Sequence, residues 1–553
     1  LDEFINDTNP LVDDYGPVIS LNSNVVIDAE ALLTDLPDGL ASAIDALDGE
    51  VMVTHDLASE LLKPGRYTIN WSAEDAAGNT TTETQILDVR PIANWQVDQE
   101  TSEGNTVTVS LYLNGVAPEY PVVADYTVLG TATTPDDHDA LSGSVTITEG
   151  RRASITLDIV SDASFETDET IIFELDSITN AVAGVKQEHI VTISELNHPP
   201  AVTLFAVLDS APAKKLSLFS IADGMATITA TVSDVDVGDT HTFEWLGGNK
   251  LNGTVSGNTY SFDPATAGKG VYQLTVKASD DASNPKSGSA VITLTVLNES
   301  LILSNTVDSD DDGTDDLTEG SGDNDGDNVP DFADSIEESN LLSIYPTGGV
   351  PTNGAWFVET QAGLSLKLNL ISSGSAQYSP LLNAQQVVDE EGGDQSDNGY
   401  IYNGGIFDFV VSNMPVPGEM VLVVIPQGQA IPENPVYRKL IDNTWSEYVV
   451  DANNTLQSAA GKLGVCPPPG SDEYTDGLIE GYFCVQLGIE DGGSNDADGE
   501  ANGTILDPGG IGQGIGVRVR SSGGAMSYLL LLLLPCLALI FRRRKTNHLR
   551  KGV

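Results

Sequence analysis

Residues 308–334 read DSDDDGTDDLTEGSGDNDGDNVPDFAD, with twelve carboxylates and no Lys or Arg. Without counter-charge such a stretch has no reason to stay compact. Two carboxylates roughly 5 Å apart repel by about 3 kcal/mol at an effective dielectric near 20. The spacing indicates what relieves the repulsion. Asp308, Asp310 and Asp312 occupy positions 1, 3 and 5 of a loop, Gly313 position 6 and Glu319 position 12, with Asp316 between them. This is the D-x-D-x-D-G-x5-E spacing of a calcium loop, in which alternate carboxylates turn inward, glycine makes the sharp bend and the last acid closes the shell. Asp323, Asp325 and Asp327 restart the pattern, and Asp331 and Asp334 fall at its positions 9 and 12. A solvated acidic linker is the alternative. Two abutting copies favour calcium.

The rest of the chain sets the context. A length of 553 residues suggests three to five domains. A net charge of −58 leaves no basic footprint for a nucleic acid, so no nucleic-acid partner is expected. Acidic surfaces stay soluble in salt and attract divalent cations. Aromatic residues are only 6% of the chain. The abundance of Thr, Val, Ser, Gly, Asp and Asn suits sheets joined by turns. Cys466 and Cys484 lie in one apparent domain and could close a loop, which would presume an oxidising compartment. The opening LDEFINDTNP is polar and begins without a start residue. It reads as an internal cut, with an export signal and further domains upstream.

At the other end, residues 525–541 run AMSYLLLLLLPCLALIF without a charge and are followed by Arg542, Arg543, Arg544 and Lys545. Seventeen helical residues span about 26 Å, near the lower limit for a bilayer core. The cationic stop keeps that end cytoplasmic and places everything upstream outside. Diglycine, apolar helix and arginine cluster together resemble the GlyGly-CTERM sorting tails of Gram-negative surface proteins. That resemblance implies a rhomboid-like sorting protease acting near Gly523 and Gly524; an ordinary single-pass anchor is the alternative.

Between these landmarks the modules are strand-rich. In residues 16–90, KPGRYTINWSAEDAAGNTTTETQILDV pairs two strands about a Gly78-Asn79 turn, with Tyr67, Ile69 and Trp71 on one face. Gly65, Tyr67, Trp71, Ala73, Asp75, Ala77, Gly78 and Asn79 resemble the end of bacterial Ig-like repeats. In residues 91–197, SEGNTVTVSLYL, then DYTVLGTATTPDDHDALSGSVTITEGRRASITLDIVSD and FETDETIIFELD resemble the Calx-beta domain. The resemblance implies a β-sandwich whose end loops collect calcium, and it carries that role to Glu103, Asp137, Asp162, Glu166 and Glu169. A departure is the closing ISELNHPP, with only Glu195 where the family's calcium binders end in a run of acids.

His198-Pro199-Pro200 marks a linker. Residues 198–298 resemble PKD or cadherin-like sandwiches, with Asp234, Asp236, Asp239 and Asp280 able to approach one another and Trp245 expected in the core. The acidic repeats of 299–340 resemble thrombospondin type 3 repeats. Residues 341–511 resemble the membrane-proximal choice-of-anchor U domain, through FDFVVSNMPVPGEMVLVVIP, NPVYRKLIDNTWSEYV and YFCVQLGIEDGGSNDADGEANGTILDPGG. Phe407, Phe409 and Val411 should alternate on one strand and Val421, Val423 and Ile425 on another, with Tyr437 and Trp445 filling the core. Asp491, Asp496, Asp498 and Asp507 read more as a Gly/Asp turn than as a calcium loop. A Gly/Ser linker at 512–524 and a basic tail at 542–553 flank the apolar stretch. The fold class expected is therefore mainly β: tandem Ig-like sandwiches, a calcium-loop linker, a further β domain and one C-terminal transmembrane helix.

No catalyst is visible. The histidines at 55, 138, 189, 198, 241 and 548 are scattered over different modules, and no H-E-x-x-H, G-x-S-x-G, P-loop or CxxC pair occurs. The expectation is a non-enzymatic, calcium-stiffened, adhesive or stalk-like surface protein of a Gram-negative bacterium. Its ligand, protein or polysaccharide, is not named by the sequence. The second reading is the accessory and anchoring half of a secreted hydrolase whose catalytic domain lies upstream of Leu1.

Overall fold

The computed structural model describes residues 13–161, 166–344, 356–375, 378–390 and 397–515. Asp162, the Gly523-Gly524 pair and the apolar stretch 525–541 lie outside the described residues. Among the described residues, no helix is long and apolar enough to cross a membrane. The architecture is mainly β, built of paired sheets, each pair closing over its own apolar core.

Period-two patterning sets the first unit. Along strand Gly65–Glu74 the residues Ile69, Trp71 and Ala73 are buried while Arg66, Thr68 and Asn70 are exposed. Its partner Thr80–Arg90 runs antiparallel, from Gly65 opposite Val89 to Glu74 opposite Thr80. Asp75 shapes the connection: its carboxylate accepts from the amide and side chain of Asn79, both at 2.8 Å, while Gly78 takes φ +90°. Trp71 donates through Nε1 to Gln85 at 3.0 Å, so the buried indole N–H is satisfied.

The second unit packs a four-stranded sheet, from Arg152–Asp158 through Thr106–Leu113 and Ile92–Trp95 to Val182–Ala183, on a five-stranded one. Trp95, Tyr126 and Phe173 fill the space between them. A five-stranded and a four-stranded sheet form the third unit. Here Trp245 differs from the core position expected. It lies on the edge strand Thr242–Leu246, half-buried, with its ring on Tyr260 at 5.8 Å and Nε1 donating to Gly257 O. An edge strand covers the rim of a sandwich and leaves one flank of a large ring in water.

The fourth unit packs a six-stranded sheet, centred on Met420–Pro426 and Cys484–Glu490, on a seven-stranded one centred on Ile406–Ser412 and Ile505–Gly514. Phe407, Phe409, Val411, Val421, Val423, Ile425 and Tyr437 share one core. Trp445 does not enter this core, contrary to expectation: from the edge strand Thr444–Glu447 it packs with Tyr402 on a separate cluster of Ile371, Leu382, Val387, Ile406 and Leu440. The opposite face of Ile406–Ser412 is covered as well. There the buried Asp408 accepts from Asn369 Nδ2 and from the amides of Ile371 and Ser372, anchoring the short helix Leu370–Ser373. Cys466 and Cys484 are joined in a disulfide, Cα to Cα 5.5 Å.

The units do not run as a simple row. The fourth packs back on the others: Lys462 pairs with Asp35 of the first, Val97 N donates to Ala362 O from the second, and Ser289 N of the third donates to Asn502 O. Between the second and third units Asp236 is a clamp, accepting from Ser102 Oγ at 2.6 Å and from the His198 amide at 2.5 Å.

The disulfide closes a short loop onto a central strand. Replacing Cys466 and Cys484 by Ser is expected to remove about 3 kcal/mol from unfolding of the fourth unit, measured by denaturant titration with and without reductant. Equal stability of the two proteins in oxidising buffer would count against it.

Candidate metal centre

The two acidic loops are built on one plan, offset by fifteen residues. In the first, Ser309 donates to Asp316 through its amide at 2.8 Å and its hydroxyl at 3.0 Å; in the second, Asn324 donates to Asp331 through its amide at 2.9 Å and its side chain at 3.0 Å. Asp312 N donates to Asp310 and Asp327 N to Asp325, both at 3.2 Å. Thr314 N donates to Asp312 and Val329 N to Asp327, both at 2.7 Å. Positive φ recurs at the same places, at Asp311 (64°) and Gly326 (83°), then at Gly313 (101°) and Asn328 (70°). Each loop therefore curls its backbone around alternate carboxylates, and those carboxylates converge.

Asp308, Asp310 and Asp312 offer oxygens within 4.8 Å of one another, as do Asp323, Asp325 and Asp327. A further triad joins Asp325 to Asp334 and Glu337. Asp316 and Asp331 do a different job from the triads. Each uses both oxygens to hold the amide and side chain at position 2 of its loop, so a contribution to an ion would use a remaining lone pair or a water, as position 9 commonly does. Glu319 ends the four-residue helix Asp316–Glu319, which Asp315 caps by accepting from Thr318 N.

The second loop is not a free linker, and this is the principal difference from the sequence expectation. Leu368 N donates to Asp327 O and Asn328 Nδ2 donates to Leu368 O, both at 2.8 Å, tying the loop to strand Ser365–Leu368. Val329, Phe332 and Ala333 enter the core of the fourth unit, and Leu218 of the third unit joins the same cluster. Burial follows: Asp323 is 5% exposed, Asp327 1% and Asp334 4%. The first loop stands further out, with Asp308 and Asp312 exposed and Asp310 buried.

Burying carboxylates together has a measurable cost. Loss of water is the first cause and neighbouring carboxylates the second in raising Asp325 and Glu319 to about 8. Asp310 rises to about 7 and Asp323 to about 6, chiefly through burial. Burial pushes Asp327 and Asp334 well above the usual range, each repelled further by Asp325. The surrounding cations do not balance this. Lys367 favours ionised Asp323 and Asp325, and Lys214 favours ionised Asp331. Yet Asp310 Oδ2, Glu319 Oε2, Asp325 Oδ2 and Asp327 Oδ2 are shielded from water without a hydrogen-bond partner. Buried polar atoms are normally satisfied. Hard oxygen ligands with no His or Cys among them suit Ca²⁺.

The second-unit site also gathers. Asp137, Glu166 and Glu169 offer oxygens within 4.8 Å of one another, and Glu103 and Glu195 line the same cleft. Burial and the charge of Asp137 raise Glu169, while backbone bonding from Thr133 lowers Asp137. The two carboxyls share a hydrogen bond. Asp162 lies outside the described residues. In the third unit, Asp280 accepts from Asn197 Nδ2 and Lys286 N and Asp236 holds the clamp, so both serve the inter-unit seam.

Sequence reasoning missed Glu337 and Lys367. Glu337 lies three residues beyond the second loop's closing acid and outside the twelve-residue pattern, and Lys367 reaches the site only through the sheet. It read Asp491, Asp496 and Asp498 as a Gly/Asp turn; Asp491 and Asp496 are each 2% exposed, while Asp498 is exposed. The D-x-D-x-E run at 496–500 was the available signal.

No family model matches the chain, and no curated protein matches it. Solved structures similar to it include the apo form of the Calx CBD1 domain, at 18% identity over 19% of this chain and 96% of that chain, with a TM-score of 0.18. Mouse cadherin-23 EC22–24 is 12% identical over 52% of this chain and 100% of that chain, with a TM-score of 0.20. Drosophila N-cadherin EC1–4 is 11% identical over 73% and 95%, with a TM-score of 0.26. At these scores the likenesses add no weight to the site, whose reading rests on its own geometry.

Two predictions follow from the raised carboxyls. A carboxyl whose folded pKa exceeds its unfolded value binds more protons when folded, so its contribution is present at low pH and is lost as pH rises through the window from about 4 to about 8. In chelator, Tm should therefore fall as pH climbs from about 5 to about 8, and saturating calcium should suppress that fall; identical pH profiles would refute it. Asp327→Asn should raise Tm in chelator, because it removes one buried charge, and should weaken calcium binding on the order of tenfold or more by calorimetry.

Proposed function

We propose that this chain is a calcium-binding, non-enzymatic protein of the cell surface, adhesive in role, in which calcium in the 308–334 loops fixes the joint between the third and fourth units. The observation that carries this reading is the set of shielded, unpartnered carboxylate oxygens in loops whose backbone is already curled around them. A cation placed there converts mutual repulsion into shared coordination. The second loop then holds Leu218 of the third unit and Phe332 beside the same core. Loss of the ion would loosen the joint rather than a distant tail.

The finer parts of the reading have separate support. Placement outside the cytoplasm follows from the apolar stretch 525–541 with its arginine cluster and agrees with a disulfide, which persists in oxidising compartments. A sorting protease acting near Gly523-Gly524 is part of the same proposal. The non-enzymatic part of the proposal rests on the scatter of the histidines over different modules in the sequence. The surface ligand is a protein or a polysaccharide. Because extracellular modules bind calcium at about 0.1–1 mM, the ordinary calcium of external fluids would keep the joint occupied.

Limited proteolysis tests the proposal. With chelator, the 300–340 segment should be cut rapidly, and millimolar calcium should protect it. Cleavage at the same sites and rates in both conditions would overturn the stiffening role.

A further inference from the structure

A third loop repeats the plan at a place the functional reading does not use. Asp496, Asp498 and Glu500 follow the alternate spacing of Asp308, Asp310 and Asp312, and Asp507 falls eleven residues after Asp496, as Glu319 does after Asp308. Gly499 has φ +65°, matching Asp311 and Gly326 at the fourth position. Glu500 N donates to Asp498 Oδ1 at 2.9 Å, the bond that Asp312 makes to Asp310 and Asp327 to Asp325.

Two acids of this loop are already neutralised. Asp507, fully buried, forms an ion pair with the equally buried Lys439. Glu500 pairs with Lys277 of the third unit at 3.1 Å. Among the described residues Asp491, Asp496 and Asp498 form no ion pair of their own, and Lys439, already committed to Asp507, is the cation whose charge reaches Asp496. Asp496 is 2% exposed; its Oδ2 accepts from Gly492 N at 2.9 Å and its Oδ1 from Leu506 N at 3.0 Å. Asp496 and Asp498 approach within hydrogen-bonding reach of each other.

The second observation comes from outside the loop. Asp491, at the end of strand Cys484–Glu490, is 2% exposed. Its Oδ2 accepts from the amides of Gly418 and Gly503, both at 2.8 Å, while Oδ1 is shielded from water and has no hydrogen-bond partner. The charges of Asp496 and Asp498 are its neighbours. A buried carboxylate oxygen without a donor, beside two further carboxylates, is costly unless a counter-charge or donor reaches it. With no His or Cys present, the chemistry favours a hard divalent ion with oxygen ligands.

We propose that Asp496, Asp498 and Asp491 form a further calcium site, which locks the loop 492–504 against the third unit. These three are not drawn within 4.8 Å of one another as the other triads are. The ion therefore takes Asp496 and Asp498 directly and Asp491 through one of its waters. The exposed side of Asp498 is the route in. The consequence lies at a seam: Asn502 O accepts from Ser289 N at 3.1 Å, and Thr504 Oγ1 donates to Ser289 O at 3.0 Å. Calcium here would order the loop that makes those contacts, giving the third and fourth units a second calcium-dependent joint besides the 308–334 segment. Burial and the Asp498 charge hold Asp496 at about 8 without metal, in keeping with an uncompensated pair.

The site is tested by counting calcium bound to the intact chain by equilibrium dialysis at millimolar free calcium. The Asp491→Asn/Asp496→Asn variant should bind one calcium fewer than the unsubstituted chain and keep the ions of the 308–334 loops. Equal counts in the two proteins overturn the proposal. A measurement on the unsubstituted chain guards against misfolding of the variant: a crystal soaked in terbium should show an anomalous peak between Asp496 and Asp498. Peaks confined to 308–334 overturn the proposal while leaving the first reading intact. Failure of that first reading would show instead as no ion at 308–334.

Discussion

Like charges packed out of water are the constraint on which this structure turns. Asp323, Asp327 and Asp334 lie within a few per cent of complete burial, beside Asp325, in a segment without a basic residue of its own. Their backbone is not free to spread and relieve the repulsion, because Val329, Phe332 and Ala333 from the same turn are committed to the core of the fourth unit. Apolar burial and electrostatic repulsion thus act on the same dozen residues in opposite directions. In the proposed reading a divalent cation would reconcile them: it would supply the charge that Lys214 and Lys367 do not, and take the oxygens that no hydrogen-bond donor reaches.

This coupling gives the acidic segment its structural role. A loop that merely bound calcium on the surface could lose it without consequence elsewhere. Here the loop shares hydrogen bonds with strand Ser365–Leu368 and a hydrophobic cluster with Leu218. Were these loops to hold the proposed ion, metal occupancy and inter-unit packing would be one equilibrium, by the linkage that makes any ligand of the folded state a stabiliser of it. The first loop is more exposed and less knitted in, so an ion bound there would exchange more readily.

The same design recurs at the other contacts between units. Asp236 fastens the His198 linker to Ser102, Arg151 pairs with Glu338, and Lys277 pairs with Glu500. In a chain with a net charge of −58, Arg151 and Lys277 thus serve seams, while Arg66, Lys186, Arg438 and Lys439 pair with acids inside their own units. The folded-back arrangement follows from these contacts together with the backbone bonds from Val97 to Ala362 and from Ser289 to Asn502.

The sequence by itself determined what is local. Alternation at Ile69, Trp71 and Ala73 specified a strand face, Gly78 and Asn79 its turn, and the i, i+2, i+4 spacing at 308, 323 and 496 the curl of each acidic loop. These are short-range rules, set by side-chain period and by the backbone freedom of one or two residues. Only the tertiary structure decided burial and partnership. It put Phe332 in a core and so made Asp327 a buried charge, brought Lys439 against Asp507, left Asp491 Oδ1 bare, and moved Trp245 to a rim. The physical reason is that desolvation depends on what covers a residue, and the covering groups come from strands tens of residues away, such as Leu368 over Asp327 and Lys439 against Asp507, which no local pattern records.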